Sequence, residues 1–361
     1  MYDRFEEIYN SITMSSSLQR FFSNGDTMKL RKKSIRIKKI AVALSAMVVT
    51  AVSAISAAAA DPIVISYTLE HEVLTAMDVD CAPSGIIRTA DNAILVTDTY
   101  SKKIWKVQDG VCSVYAGAES VKSPYQEPLG GYNDSAHEKS LFREPWGIAP
   151  FLDGYAVSDA GNSAVRLLRP ERTETVNADT QERLVMNDMG VVYANPTGLT
   201  ADESGNLYVS DTNNGAVRVI SPDGYVRTLA ERLETPTGIC WYKDALYVVE
   251  TGANRVLKIY GNGKVEIIAG SGTDGYVDGP ATSAAFSAPQ GITVGPDGTV
   301  YISDTANGAV RRIRGNTVET LAIRSSSALR SYPVSPRGLC VMDNKLYVCD
   351  NFSKKIFIIS L

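Results

Sequence analysis

From residue 83 onward, apolar and polar positions alternate in short runs broken by Gly, Asp, Asn and Pro. Alternation with a period of two over five or six residues predicts strands with one buried face. The runs form a repeat. A Gly followed by an apolar residue opens six comparable segments, at Gly85, Gly147, Gly198, Gly238, Gly291 and Gly338. The first and last of these are 253 positions apart, a mean period of about 51 residues. Twelve or thirteen positions after each Gly stands an acid: Asp98, Asp159, Asp211, Glu250, Asp304 or Asp350. A β-branched residue lies two before it (Val96, Val157, Val209, Val248, Ile302, Val348). An apolar residue six after it begins a third strand, and segments such as Val318–Ala322 supply a fourth. Links such as Pro296-Asp297-Gly298 make the turns.

Four short antiparallel strands per repeat describe a propeller blade, and six repeats predict an all-β, six-bladed propeller. The last repeat stops after its third strand at Leu361, one strand short. Residues 71–76 (HEVLTA) hold the fourth-strand place ahead of the first repeat, because Val73 precedes Gly85 by the spacing that separates Val226 from Gly238. This segment is expected to complete the last blade and remove an open sheet edge.

The motif Pro-x-Gly-apolar, then L-Y-V-x-D, then N-x-x-V, is carried by Pro196, Gly198, Asp211 and Asn214, and again by Pro289, Gly291, Asp304 and Asn307. A second element, G-Y-x-D, occurs at Gly131-Tyr132-Asn133-Asp134 and Gly275-Tyr276-Val277-Asp278. Phe142 or Phe286 follows eight residues after its Asp. These residues resemble the NHL repeat family of six-bladed propellers, of a secreted bacterial type, over most of residues 61–361. The fourth repeat departs from the pattern, with Glu250 and Ala253 where others have Asp and Asn. The resemblance implies a non-catalytic platform for protein, glycan or nucleic-acid partners; fold alone does not settle function.

Charge divides the chain. Residues 1–60 hold nine Lys/Arg and four acids, which leaves 27 bases and 36 acids, net −9, in residues 61–361. That balance argues against nucleic acid as a partner. Residues 28–39 are basic without an acid, and 40–60 are uncharged and end in Ala58-x-Ala60. This order reads as a signal peptide with export to the cell envelope or beyond. A retained membrane anchor is the alternative, since 21 uncharged residues can span a bilayer. Residues 1–27 read as an extension upstream of a start at Met28. The predicted domain is 61–361.

The repeated acids, Asp98, Asp159, Asp211, Glu250, Asp304 and Asp350, are expected to be structural, accepting bonds from turn amides. Catalytic relatives in the resembling family use several His ligands for zinc, and this chain has only His71 and His137. Others hold a metal with carboxylates and Asn in the channel, and no residue set here stands out for it. No metal or other cofactor is therefore expected; Asp211–Gly215 resembles the start of a calcium loop but lacks its later Glu. The five cysteines give no assured disulfide. Tyr132, Asp134, Trp146, Tyr276 and Asp278 are the candidate ligand contacts, on the face that carries the linkers between blades. The function expected is an exported, monomeric, non-catalytic protein that binds a protein or cell-envelope glycan. The alternative is a metal-dependent, lactonase-like hydrolase with its site in the channel. That same linker-bearing face is where long loops on a rigid scaffold place binding.

Overall fold

The computed structural model describes residues 73–75, 81–109, 111–176, 192–321 and 334–361. Residues 1–60, including the basic and apolar export segment, lie outside the described residues, as does His71.

The described chain forms six antiparallel sheets; five start with four strands in chain order from the channel outward, and the sixth has three such strands and takes its outermost from the start of the domain. The inner strands are Pro83–Arg88, Pro145–Phe151, Pro196–Ala201, Pro236–Tyr242, Gly291–Val294 and Pro336–Met342. The second strands all end on the repeated acid: Ile94–Asp98, Gly154–Asp159, Leu207–Asp211, Ala245–Glu250, Val300–Asp304 and Lys345–Asp350. In blade 5 a short extra strand, Gly279–Pro280, pairs outside the fourth. Val73–Thr75 pairs antiparallel with Lys355–Ser360 (Val73 opposite Ile359) and completes blade 6. The ends of the domain thus meet in one sheet, and no outer edge of that blade is left open.

Among the described residues the core is divided between the blades. Six apolar clusters lie one between each pair of neighbouring blades. In blade 3, Leu207 and Val209 pack towards blade 2, while Tyr208 packs towards blade 4. The second strands are therefore buried on both faces, not on one as the alternation predicts, because each blade is covered by two others.

The repeated glycines are forced by this packing. A Cβ on Gly147 would lie 2.2 Å from the Thr197 carbonyl oxygen of the next blade, and one on Gly291 only 1.8 Å from that of Arg337. The relation holds from each blade to the next and ends with Gly338 against Ser84, which closes the ring. Hydroxyls stitch the same seam. Thr97 receives the Gly85 N–H at 2.7 Å and donates to the Trp146 carbonyl at 2.6 Å. Ser158 receives the Gly147 N–H and donates to the Thr197 carbonyl.

Candidate functional site

Each repeated acid sits at the end of a buried second strand and clamps the incoming linker to its own blade. Asp98 Oδ1 accepts from the backbone N–H of Ala82, Tyr100 and Ser101 at 2.8–3.0 Å. Asp159 Oδ1 accepts from those of Arg143 and Glu144, and Asp211 Oδ1 from that of Ala194. Asp304 takes the Ser287 N–H, Asp350 those of Val334, Ser335 and Ser353, and Glu250 that of Glu234. All six are 0–1 % exposed. The N-x-x-V asparagines bridge acid and linker: Asn162 donates to Asp159 and to the Gly131 carbonyl, and Asn307 to Asp304 and the Gly275 carbonyl.

The partner of the carboxylate stands seven positions on, a relation the sequence reading missed. It is Trp105 in blade 1, Arg166 in blade 2, Arg218 in blade 3 and Arg311 in blade 5. The basic residues five after the acid look equivalent in sequence but diverge: Arg255 pairs with Glu250, whereas Lys103 pairs with Glu119. In blade 4 the longer Glu reaches the nearer Arg. The Asp211 loop does not suit calcium, because Asn214 and the Arg218 guanidinium occupy Oδ2 at 2.9 Å each.

The G-Y-x-D linkers are built around Arg166 and Arg311. Asp278 Oδ1 accepts from Arg311 Nη2 at 2.6 Å and Asp304 Oδ2 from Nη1 at 2.6 Å. The remaining donors go to the Ala285 and Val277 carbonyls and to Asp278. The guanidinium lies between Tyr276 and Phe286, 4.9 and 5.2 Å from the ring centres. Arg166 repeats this with Asp134, Asp159, Tyr132 and Phe142. Both arginines are fully buried. The carboxylates of Asp134 and Asp278 are engaged further by Thr175 and Thr320. Tyr132 and Tyr276 remain 52 % and 43 % exposed on the linker face. They belong to blades 2 and 5, opposite one another in a ring of six, so the fold does not gather the five candidate contacts into one site.

Trp146 is not in a linker. It lies in the inner strand of blade 2 and lines the neck of the channel, a space of about 60 Å³ bounded by the glycine ring. Of the residues that precede the glycines (Ser84, Trp146, Thr197, Thr237, Gln290 and Arg337), Ser84 and Trp146 line this neck. None is acidic. On the opposite side the channel widens to about 440 Å³, lined by Ile87, Ala149, Thr200 and Cys240 among others, with Asp202 and Glu203 at its rim. Among the described residues no group of three or more His, Cys, Asp or Glu side chains could hold a metal. His137 binds Thr173 and the Arg169 carbonyl, which fastens the linker before blade 2.

The two G-Y-x-D linkers differ in one respect. Gly117 and Gly131 in the first correspond to Gly270 and Gly275 in the second, since Gly117 N–H donates to His137 and Gly270 N–H to Ala281, while Gly131 and Gly275 donate to Phe142 and Phe286. The extra residues of the first form a hairpin, with Leu129 N–H on the Val121 carbonyl and Ser123 N–H on that of Glu127. Its tip, Tyr125, is 88 % exposed.

The sequence model of the NHL repeat matches residues 184–220 and 286–313. Human teneurin-1 is 25 % identical over 315 residues, covering 71 % of this chain and 11 % of its own length. The chain thus spans about a tenth of that relative. Virginiamycin B lyase from Staphylococcus aureus superposes with a TM-score of 0.55 at 15 % identity, covering 81 % of this chain and 99 % of that one. An auxiliary nutrient binding protein from Bacteroides thetaiotaomicron gives 0.60 at 14 %, covering 84 % and 78 %. These two share the fold. With the repeat's glycines packed against the next blade and its acid and Asn fastening each linker, the chain carries NHL repeats within a six-bladed β-propeller.

Proposed function

We propose that this protein is an exported binding platform that docks a protein partner on its linker-bearing face, in the sector of blades 6, 1 and 2. The observation that carries this reading is the 121–129 hairpin. It breaks the correspondence between two otherwise matched linkers and presents Val121, Tyr125 and Leu129 to solvent. Phe352 and Tyr100, in the turns after the acids of blades 6 and 1, expose further apolar surface on the same face. Clustered exposed apolar side chains on a rigid scaffold are the mark of an interaction surface. A binding role also suits the acids, whose lone pairs are spent on backbone amides and arginines rather than aimed into the channel. The net charge of −9 in residues 61–361 sets nucleic acid aside as partner.

Quantitative affinity capture from the cell envelope tests the proposal, with the wild-type chain beside Tyr125→Ala/Phe352→Ala. A protein partner is expected to be retained by the wild type, to bind directly when purified, and to be lost at least tenfold with the variant. Capture that is unchanged in the variant, or that survives protease but not glycosidase treatment of the envelope, refutes this face or this partner class.

A further inference from the structure

The arginines that serve the blades each face a carboxylate: Arg166, Arg218, Arg255 and Arg311. Arg337 does not. It is partly buried in the inner strand of blade 6, one residue before Gly338 of the channel neck. Among the described residues it forms no ion pair; its Nη1 reaches Ser84 Oγ only at 3.5 Å. Its Nε is buried without a hydrogen-bond partner. Burial lowers its pKa; Glu144 and Asp350 oppose this, though neither forms an ion pair with it, and Asp350 is spent on three backbone amides. The guanidinium reaches over Ser84 towards blade 2, 5.7 Å from the Trp146 ring. On the neighbouring inner strand Gln290 holds the corresponding position, and its Oε1 is also buried without a partner. An unpaired guanidinium half out of water is costly unless something pairs with it. Its terminal guanidinium N–H groups suit pairing with a carboxylate.

We propose that Arg337 receives a carboxylate from the protein partner, against the Trp146 ring. This rests on the linker-bearing face being the docking face. The glycine-lined neck of about 60 Å³ behind the site admits no chain passing through. The group that enters is an end or a projection, either the C-terminal carboxylate or an Asp or Glu side chain. One charge-assisted pair with an aromatic wall gives weak affinity for a small probe, and specificity comes from the rest of the partner.

Indole N–H resonances of the full chain read the site directly, since there are three tryptophans and Trp146→Phe identifies the relevant one. The probes are N-acetyl-phenylalanine (terminal carboxylate), N-acetyl-glutamate α-amide (side-chain carboxylate) and N-acetyl-phenylalaninamide (no carboxylate). One or both carboxylates are expected to shift the Trp146 signal saturably, the neutral amide not, and the stronger carboxylate names the source. Arg337→Gln is expected to weaken binding about tenfold or more, and Arg337→Lys by less. The thermal midpoint of Arg337→Gln is expected to stay level or rise, because a desolvated charge is removed; a merely structural arginine predicts a fall. Equal shifts from the neutral amide, binding unchanged in Arg337→Gln, or no shift from either carboxylate overturns the site. Partner capture that persists in any of those cases leaves the docking face standing, so the two readings fail separately.

Discussion

Replacing Arg311 by Met removes a fully buried guanidinium while keeping much of its bulk. The loss takes from the fully buried Asp304 and from Asp278 their only cationic partner among the described residues, and it removes one of the two donors on each of the Ala285 and Val277 carbonyls, which keep each other's N–H. Breaking a buried pair by removing one partner costs about 3–5 kcal/mol. At about 2–4 °C per kcal/mol for a domain of this size, the midpoint is expected to fall by about 10 °C. The deficit has a pH signature. Burial already raises the Asp304 carboxyl above the usual carboxylate range, against the lowering by Asn307, the Ser287 N–H and Arg311. Without Arg311 it rises further. A carboxyl raised in the folded state adds stability below its unfolded pKa and loses it as pH climbs through the folded one. The variant is therefore expected to be weakest relative to wild type near neutrality, with the gap narrowing as the pH is lowered into the carboxyl range. Thermal melts across that range, with Arg311→Met/Asp304→Asn as the rescue, provide the measurement. A fall of less than about 2 °C, or a gap independent of pH with no rescue, would refute the reasoning.

Gly291→Ala places a methyl group 1.8 Å from the Arg337 carbonyl oxygen and is expected to cost more than the usual 1–3 kcal/mol of overpacking, since backbone must move. Gly261→Ala, with open space around it, should melt within about 2 °C of wild type and serves as its control. Glu250→Asp shortens the one acid whose arginine stands five positions on, and it should lose about 1–3 kcal/mol by chemical denaturation as Glu234 N–H and Arg255 go unmet. Deletion of residues 73–75 exposes the edge of Lys355–Ser360, and light scattering should report concentration-dependent association of the variant but not the wild type.

Sequence alone determined the number of blades, the strand order within each, and the closing strand, because period-two alternation and a fixed Gly-to-acid spacing are local properties of the chain. It also put an acid at the end of each second strand. Other features needed the tertiary structure. The left-handed residue four after each acid is Gly only at Gly215 and Gly308; Lys102, Ser163, Asn254 and Lys354 adopt the same conformation without that signal. The acid's partner comes from seven positions on in four blades and from five in another, since reach depends on side-chain length and on which face of the third strand meets the carboxylate. Trp146 stands beside a linker in sequence, yet it lies in an inner strand at the channel neck. Above all, Arg337 reads as one more basic residue along the chain. Only ring closure, which brings blade 6 beside blade 1 and its guanidinium towards Trp146, shows that it lacks the carboxylate every comparable arginine has. Periodicity reports what a residue's own strand requires; contacts made across blades hundreds of positions apart are decided by the closed ring.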